Sequence, residues 1–256
     1  MAMDEFASRL HKTVYREKPT TKSSVTNHAL GICFNLEVEQ TKLFIAANLD
    51  LYDEAKKAVL KYRKDIVDYI ATHPSFLTSL VPIQVYPTAP GIVQAMASAS
   101  QRAGVGPMAS VAGAIAEKVA IELLNHSSEV IVENGGDIYL SSLQPIKVGL
   151  YAGKSPLSMQ LALEIDPDQM PLGICTSAGT VGPSLSFGSA DAVCVVSRSA
   201  IVADAYATAI GNMIRSMQDI DKGIEVARRN CHDIIGLVIV FREYLAMWGG
   251  IKMVPI

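Results

Sequence analysis

Long apolar runs are missing from this 256-residue chain, although half of its residues are hydrophobic and its mean hydropathy is +0.27. The longest run, IIGLVIVF at 234–241, has eight residues. That is far below the roughly 18 of a membrane span and suits a buried strand, so no membrane segment is expected. The opening MAMDEFASRLHK is charged and lacks the apolar stretch of a signal peptide, which makes a cytoplasmic location the expectation. There is no basic cluster. Net charge is −3, the pI is about 6.0, and Lys and Arg are scattered, densest at 56–64. No nucleic-acid partner is expected, and the 56–64 density reads as a solvated helix face. Cys33, Cys175, Cys194 and Cys231 show no CxxC or metal spacing and default to reduced thiols. The five histidines stand apart, which leaves no HExxH or Cys/His zinc signature. The GK[ST] of a P-loop and the GxSxG nucleophile elbow are also absent.

What is present reads as α+β. A possible strand lies near 14–16, in an N-terminal segment (1–27) expected to be loosely held. Residues 29–47 read as two strands around a turn at 39–41. Leu51, Ala55, Val59, Tyr62, Ile66 and Tyr69/Ile70 form one apolar stripe, a helix that ends before Pro74. Residues 80–87 read as a short extended run. A second helix is expected from Pro90 to Ala103 with Gly104 as its stop, and a third over 108–124. Strands are expected within 128–142, at 145–153, 157–165 and 191–197. The Gly/Ser-rich stretch 173–188 reads as a loop. Ser199 is a plausible N-cap for a helix to about Met217, with a further helix at 221–229. The chain closes with strands at 233–242 and 251–255, joined through MWGG. Hairpin-like strands with helices between the runs predict largely antiparallel sheet rather than repeated βαβ units. No linker marks a boundary, so one domain over 1–256 is expected. ASVAGAIA (109–116) and AIVADAYA (200–207) share Ala at four positions and Val at one, an echo suggesting internal duplication or simply two Ala-rich helices. Either way both helices belong near the centre, with Gly113 aligned to Asp204.

Three stretches could carry chemistry. In NGGD, Asn134, Gly135, Gly136 and Asp137 make a strong hairpin signal. The paired glycines also leave backbone N–H groups open to a ligand, and Asp137 could bind a polar group or a metal-linked water. In TSAGTVGPSLSFG (176–188), Thr176, Ser177, Gly179 and Thr180 could offer hydroxyls and N–H groups to phosphate or carbonyl oxygens, or belong to a solvated loop. In SAIVADAYAT (199–208), Asp204 and Thr208 share one helix face. The pair suits a hard cation such as Mg²⁺. The plainer alternative is an Asp favoured by the helix dipole, with Thr bonding back to a carbonyl.

The order of these motifs, a small-residue helix, then ENGGDI, then TSAG, then a strand leading into ADAYAT, resembles the ApbE superfamily of flavin transferases, which move FMN from FAD onto a protein threonine. The resemblance covers roughly 105–212. GVGPMASVAGAIAE, VENGGDIYL and GICTSAGTVGPSLSFGSADAV are similar to the UPF0280 branch, as are FIAANLDLYDEAKKAV and HPSFLTSLVPI. It implies an ApbE-like fold, FAD or another nucleotide pyrophosphate as ligand, and Mg²⁺ held by Asp204 and Thr208. Gly113, Asn134 to Asp137, Thr176, Ser177, Gly179 and Thr180 would contact the ligand. Asp137 or Asp191 would orient or deprotonate an attacking hydroxyl. The sequence also departs from the family: the lysine expected before Gly113 is Ala112, and a histidine expected in the later loop is Pro183. The expectation is therefore a flavin- or nucleotide-binding protein with Mg²⁺, with flavin or phosphate-group transfer if it is an enzyme. The alternatives are a binding protein that has lost transfer chemistry and an enzyme of an unrelated small metabolite. A homodimer is expected only because closed two-fold oligomers are common.

Overall fold

The structure is a computed structural model that describes residues 14–17, 25, 31–179 and 187–256. Its frame is a nine-stranded sheet in the order β1 (Val14–Glu17), β2 (Ile32–Val38), β3 (Thr41–Ala47), β4 (Val130–Asn134), β5 (Asp137–Ser141), β8 (Leu172–Ser177), β9 (Ala192–Ser197), β10 (Gly236–Phe241) and β11 (Tyr244–Gly249). Every neighbouring pair is antiparallel. A three-stranded sheet has the order β12 (Lys252–Pro255), β7 (Leu161–Ile165) and β6 (Ile146–Gly149).

Period-2 alternation splits the core. Ile45, Val130, Tyr139, Cys175, Val195 and Ile239 face the helices. Ala46, Ile131, Ile138, Ile174, Cys194 and Val238 face β6 and β7. Both faces of the central strands are therefore buried. The helices are α1 (Tyr52–Thr72), a single turn α2 (Ser75–Thr78), α3 (Gly91–Ala103), α4 (Val111–Leu123), α5 (Ala200–Met213) and α6 (Ile220–Arg229). α1 buries the stripe read from its sequence, with Ala55, Val59, Ile66 and Ile70 inside. Pro90 and Gly104 bound α3 as expected, Gly104 in the left-handed region at φ 74°. Among the described residues no helix is long and apolar enough to cross a membrane.

Three expectations are corrected. Residues 173–177, read as part of a Gly/Ser loop, belong to the central strand β8. The glycine that made them look loop-like is a packing residue: a Cβ on Gly173 would lie 2.3 Å from both N and Cα of Ala200 at the start of α5. MWGG is not a connection, because Met247, Trp248 and Gly249 end β11 and the turn falls at Arg242 and Glu243. The helix read to about Met217 also stops four residues earlier, at Met213.

Candidate functional site

α4 and α5 are the Ala-rich helices of the sequence echo, and they pack directly on each other. Small side chains make this possible. A Cβ on Gly113 would come within 2.3 Å of the Ala200 carbonyl oxygen and 2.9 Å of Asp204 Cβ. The Gly113 N–H donates to Asp204 Oδ2 at 2.9 Å. The close approach that Gly113 permits is therefore made by α5. Asn134, at the end of β4, donates from Nδ2 to the Ala112 carbonyl at 3.2 Å and ties the NGGD hairpin to the same point on α4.

Asp137 begins β5 opposite Cys175 of β8, on the helix-facing side of the sheet. Two donors lie against its carboxyl, the Cys175 thiol and the Thr176 N–H, the latter donating to the Gly136 carbonyl at 3.1 Å. Cys175 Sγ also lies 3.3 Å from the Ala200 carbonyl. Burial, with the charge of Glu133 adding to it and the two donors opposing it, pushes Asp137 up to about 7. Asp204 is pushed well above the usual carboxylate range, first by burial and then by the charge of Asp137, against the pull of the Gly113 and Ala112 N–H groups. The Cys175 thiol is raised by burial and by both aspartates, which makes it inert rather than nucleophilic. β5, β8 and α5 thus bring together two carboxylates and a thiol. No lysine or arginine is among the described groups that shift either aspartate.

The other expected site residues are placed as follows. Thr208 is one turn beyond Asp204, with Oγ1 donating to the Ala109 carbonyl at 3.4 Å, in the turn before α4, rather than back to a carbonyl of its own helix. Ser177 Oγ would lie 3.3 Å from a Cβ on Gly211, further along α5. Thr176 sits on the opposite sheet face, where its side chain bonds to Cys194. Gly135 has φ 73° and Gly136 normal φ, and both are open: a Cβ on Gly135 would meet nothing and one on Gly136 only the Thr176 carbonyl at 3.6 Å. Gly179 is closed in, its N–H donating to the Ala190 carbonyl at 2.9 Å and its Cα under the Gly188 carbonyl. Asp191 accepts from the Arg242 N–H at 2.6 Å, at the β10–β11 turn. Thr180 and Pro183 lie outside the described residues.

Two residues of this region escaped the sequence reading. Cys175 was seen only as a reduced thiol, and nothing local marks it, because its neighbours come from β5 and α5. Glu117 is buried and accepts from Ser199 Oγ at 2.6 Å and from the Ile201 N–H at 3.3 Å. It places a carboxylate at the N-terminus of α5, where the helix dipole favours it. An acid among alanines in the helix read over 108–124 was the available signal.

The aspartates give a pH signature. Between the ordinary value of 3.8 and about 7, Asp137 keeps a proton in the folded protein that the unfolded chain has lost. Stability contributed by this group is therefore present below pH 4, falls as pH rises to about 7, and is flat above. The expected loss is on the order of a few kcal/mol. Asp137→Asn should remove that fall, as the difference between wild-type and variant urea-unfolding curves across pH 4–8. Parallel curves would refute the assignment.

A family model described as AbpE bacteria matches residues 24–234. A UPF0280 protein of Methanococcus aeolicus is 42% identical over 222 residues, covering 84% of this chain and 89% of that protein. A UPF0280 protein of Methanococcus vannielii is 43% identical over 222 residues, covering 84% and 90%. The chain belongs to the UPF0280 branch of the ApbE superfamily. Solved ApbE structures share the fold. The flavin transferase ApbE of Vibrio cholerae, in a His-to-Gly mutant form, superposes with a TM-score of 0.57 at 14% identity, over 85% of this chain and 96% of that one. The apo flavinyl transferase ApbE of Pseudomonas stutzeri gives 0.53 at 15% identity, over 85% and 93%. The ApbE-like fold implied by the motif order is thus the fold of this UPF0280 chain. Identities this low speak to architecture and not to ligand.

Proposed function

We propose that this UPF0280 protein binds a flavin or another nucleotide pyrophosphate together with Mg²⁺ at the Asp137–Asp204 cluster, and that flavin or phosphate-group transfer is its chemistry. One observation carries the reading: a half-buried carboxylate, Asp137, raises a buried one, Asp204, with no basic side chain among the described groups that shift them. Such a pair is costly unless a proton or a cation neutralises it. The donors fit a hard cation. Asp204 and Thr208 offer oxygen, and among the described residues there is no group of three or more His, Cys, Asp or Glu side chains that would enclose a metal by itself. Mg²⁺ commonly takes one or two carboxylates and completes its shell with water and phosphate oxygens. When bound it would stabilise charge developing on a phosphate.

The chain's own groups supply the rest. The space left beside Gly135 and Gly136, where no side chain stands, would let an anionic ligand approach the backbone closely. Asp137, held near 7, is suited to take a proton from an attacking hydroxyl at neutral pH. Asp191 is already bonded to Arg242 and is left out of this role. A second reading, ligand binding without transfer, is favoured at one point. Ala112 stands where family transferases carry lysine, and its carbonyl is occupied by Asn134, so no ammonium group is present there.

Calorimetry with FAD, FMN and ATP, each with and without Mg²⁺, tests the proposal. Binding of at least one of them, tighter with Mg²⁺, is expected. If none binds below about millimolar, worth only about 4 kcal/mol, the nucleotide reading fails. Product analysis after incubation with FAD separates transfer or cleavage from binding alone.

A further inference from the structure

Arg63, on α1, is a half-buried cation held by neutral groups. Its Nη1 donates to Thr41 Oγ1 at 2.7 Å and its Nη2 to Gln40 Oε1 at 2.9 Å, both on the β2–β3 hairpin. Lys61 on the same helix, by contrast, pairs with Glu122 at 2.8 Å. Burial draws the pKa of the guanidinium down, and of the described groups only the charge of Glu39, acting through space, opposes that. A guanidinium has five N–H donors. Among the described residues the Nε–H of Arg63 has no acceptor, and it is not buried. The group is thus fixed by two bonds and still presents a donor edge to solvent.

The sheet register brings this cation to the NGGD hairpin. Leu43 pairs with Asn134 across β3 and β4, and Thr41 opens β3 just before it. Two residues of strand span about 7 Å, and adjacent strands lie about 5 Å apart. Thr41 therefore lies at the end of the sheet where Gly135 and Gly136 turn, one strand over. Leu43 and Ile45 face the helices, so alternation puts Thr41, with Arg63 bonded to it, on the helix side as well. Asn134 reaches the Ala112 carbonyl on that same side. A Cβ on Gly135 would meet nothing within 4 Å. Arg63 is not among the groups that shift Asp137 or Asp204, so its charge is not used by the acid cluster.

We propose that Arg63 and the Gly135–Gly136 turn form an anion subsite that binds a phosphate group of the ligand. The proposal rests on the pyrophosphate reading given above. A half-buried cation without a close counter-ion is costly, and an anion relieves that cost. The planar fork of guanidinium N–H groups matches a pair of phosphate oxygens. The bare glycine backbone lets such a group come close without meeting a side chain. The ligand would then be held by positive charge at two points, by Mg²⁺ at Asp204 and by Arg63 at the turn.

Calorimetry on the full chain with inorganic pyrophosphate, without Mg²⁺, reads the subsite alone. The wild type should bind it, and Arg63→Gln should weaken binding by about tenfold or more, the size of one lost charged hydrogen bond. Arg63→Lys keeps the charge and loses the fork, so it should fall between the two. Thr41→Val is the control for a merely structural role. It removes a bond between α1 and β3 and leaves the charge, so urea unfolding should show lost stability while pyrophosphate affinity stays closer to wild type than that of Arg63→Gln. Equal losses in Thr41→Val and Arg63→Gln would overturn the proposal, as would a wild type that does not bind pyrophosphate. FAD with Mg²⁺ bound equally well by wild type and Arg63→Gln would sink the subsite and leave the nucleotide reading standing. Pyrophosphate bound through Arg63, with no binding of FAD, FMN or ATP, would leave the subsite standing and sink the nucleotide reading.

Discussion

Asp204→Asn is expected to abolish the Mg²⁺ dependence of ligand binding and, without metal, to stabilise the protein above pH 7. Opposite signs for function and stability come from one arrangement. Asp204 is buried, and after burial the charge of Asp137 raises it further. Asparagine keeps an oxygen to accept the Gly113 N–H now 2.9 Å from Asp204 Oδ2. It removes one of two like charges and so relieves a repulsion that the metal-free protein bears at high pH. The same substitution removes the ionised oxygen donor of the proposed Mg²⁺ pair. The apparent Mg²⁺ affinity should fall about a hundredfold or more, above the 10–100-fold typical of groups that only orient a ligand to the metal. Thermal unfolding at pH 8 and calorimetric Mg²⁺ titration in the presence of FAD read the two effects. An unchanged Mg²⁺ dependence would sink the metal assignment, and a less stable metal-free variant would contradict the repulsion.

Gly173→Ala should destabilise the protein by about 3 kcal/mol or more, at the upper end of what overpacking costs. The added methyl would sit 2.3 Å from backbone N and Cα of Ala200, and no side-chain rotation can relieve that. Either β8 or the start of α5 must shift. A shift of α5 carries Asp204 with it and strains the hydrogen bond to Gly113, so the Mg²⁺-dependent affinity should fall in the same variant. Gly135→Ala is the control for a different mechanism. It meets open space but has φ 73°, so its cost should be limited to backbone strain of about 1–2 kcal/mol. Urea unfolding of both variants ranks them, and Gly173→Ala no worse than Gly135→Ala would refute the packing account.

The glycines show how much of the site could be read along the chain. NGGD and its hairpin are local chemistry, because Asn-Gly favours the conformation that β4 and β5 require. The Asp204 and Thr208 spacing is helical geometry and is equally local. The roles of Gly113, Gly173 and Gly179 were not legible. Their missing side chains serve contacts with Ala200 and Gly188, distant in sequence or across a loop. Read locally, such glycines suggest flexibility or ligand access, and Gly173 disguised a central strand as a loop. Thr176 and Ser177 are adjacent, and only the sheet register puts one beside Cys194 and the other beside α5.

By itself the sequence determined the α1 stripe, the limits of α3, most strand positions, the family and the order of its motifs. The elements rest on periodicity and turn chemistry within a few turns of chain, and the family on the resemblance of its motifs and their order. Only the tertiary structure decided that Asp137 comes close enough to raise Asp204, that Cys175 lies between their elements, and that Glu117 caps α5. Those are consequences of which strand lies beside which and of how closely α4 approaches α5. Such proximity depends on packing between segments far apart in the chain, which no local pattern encodes.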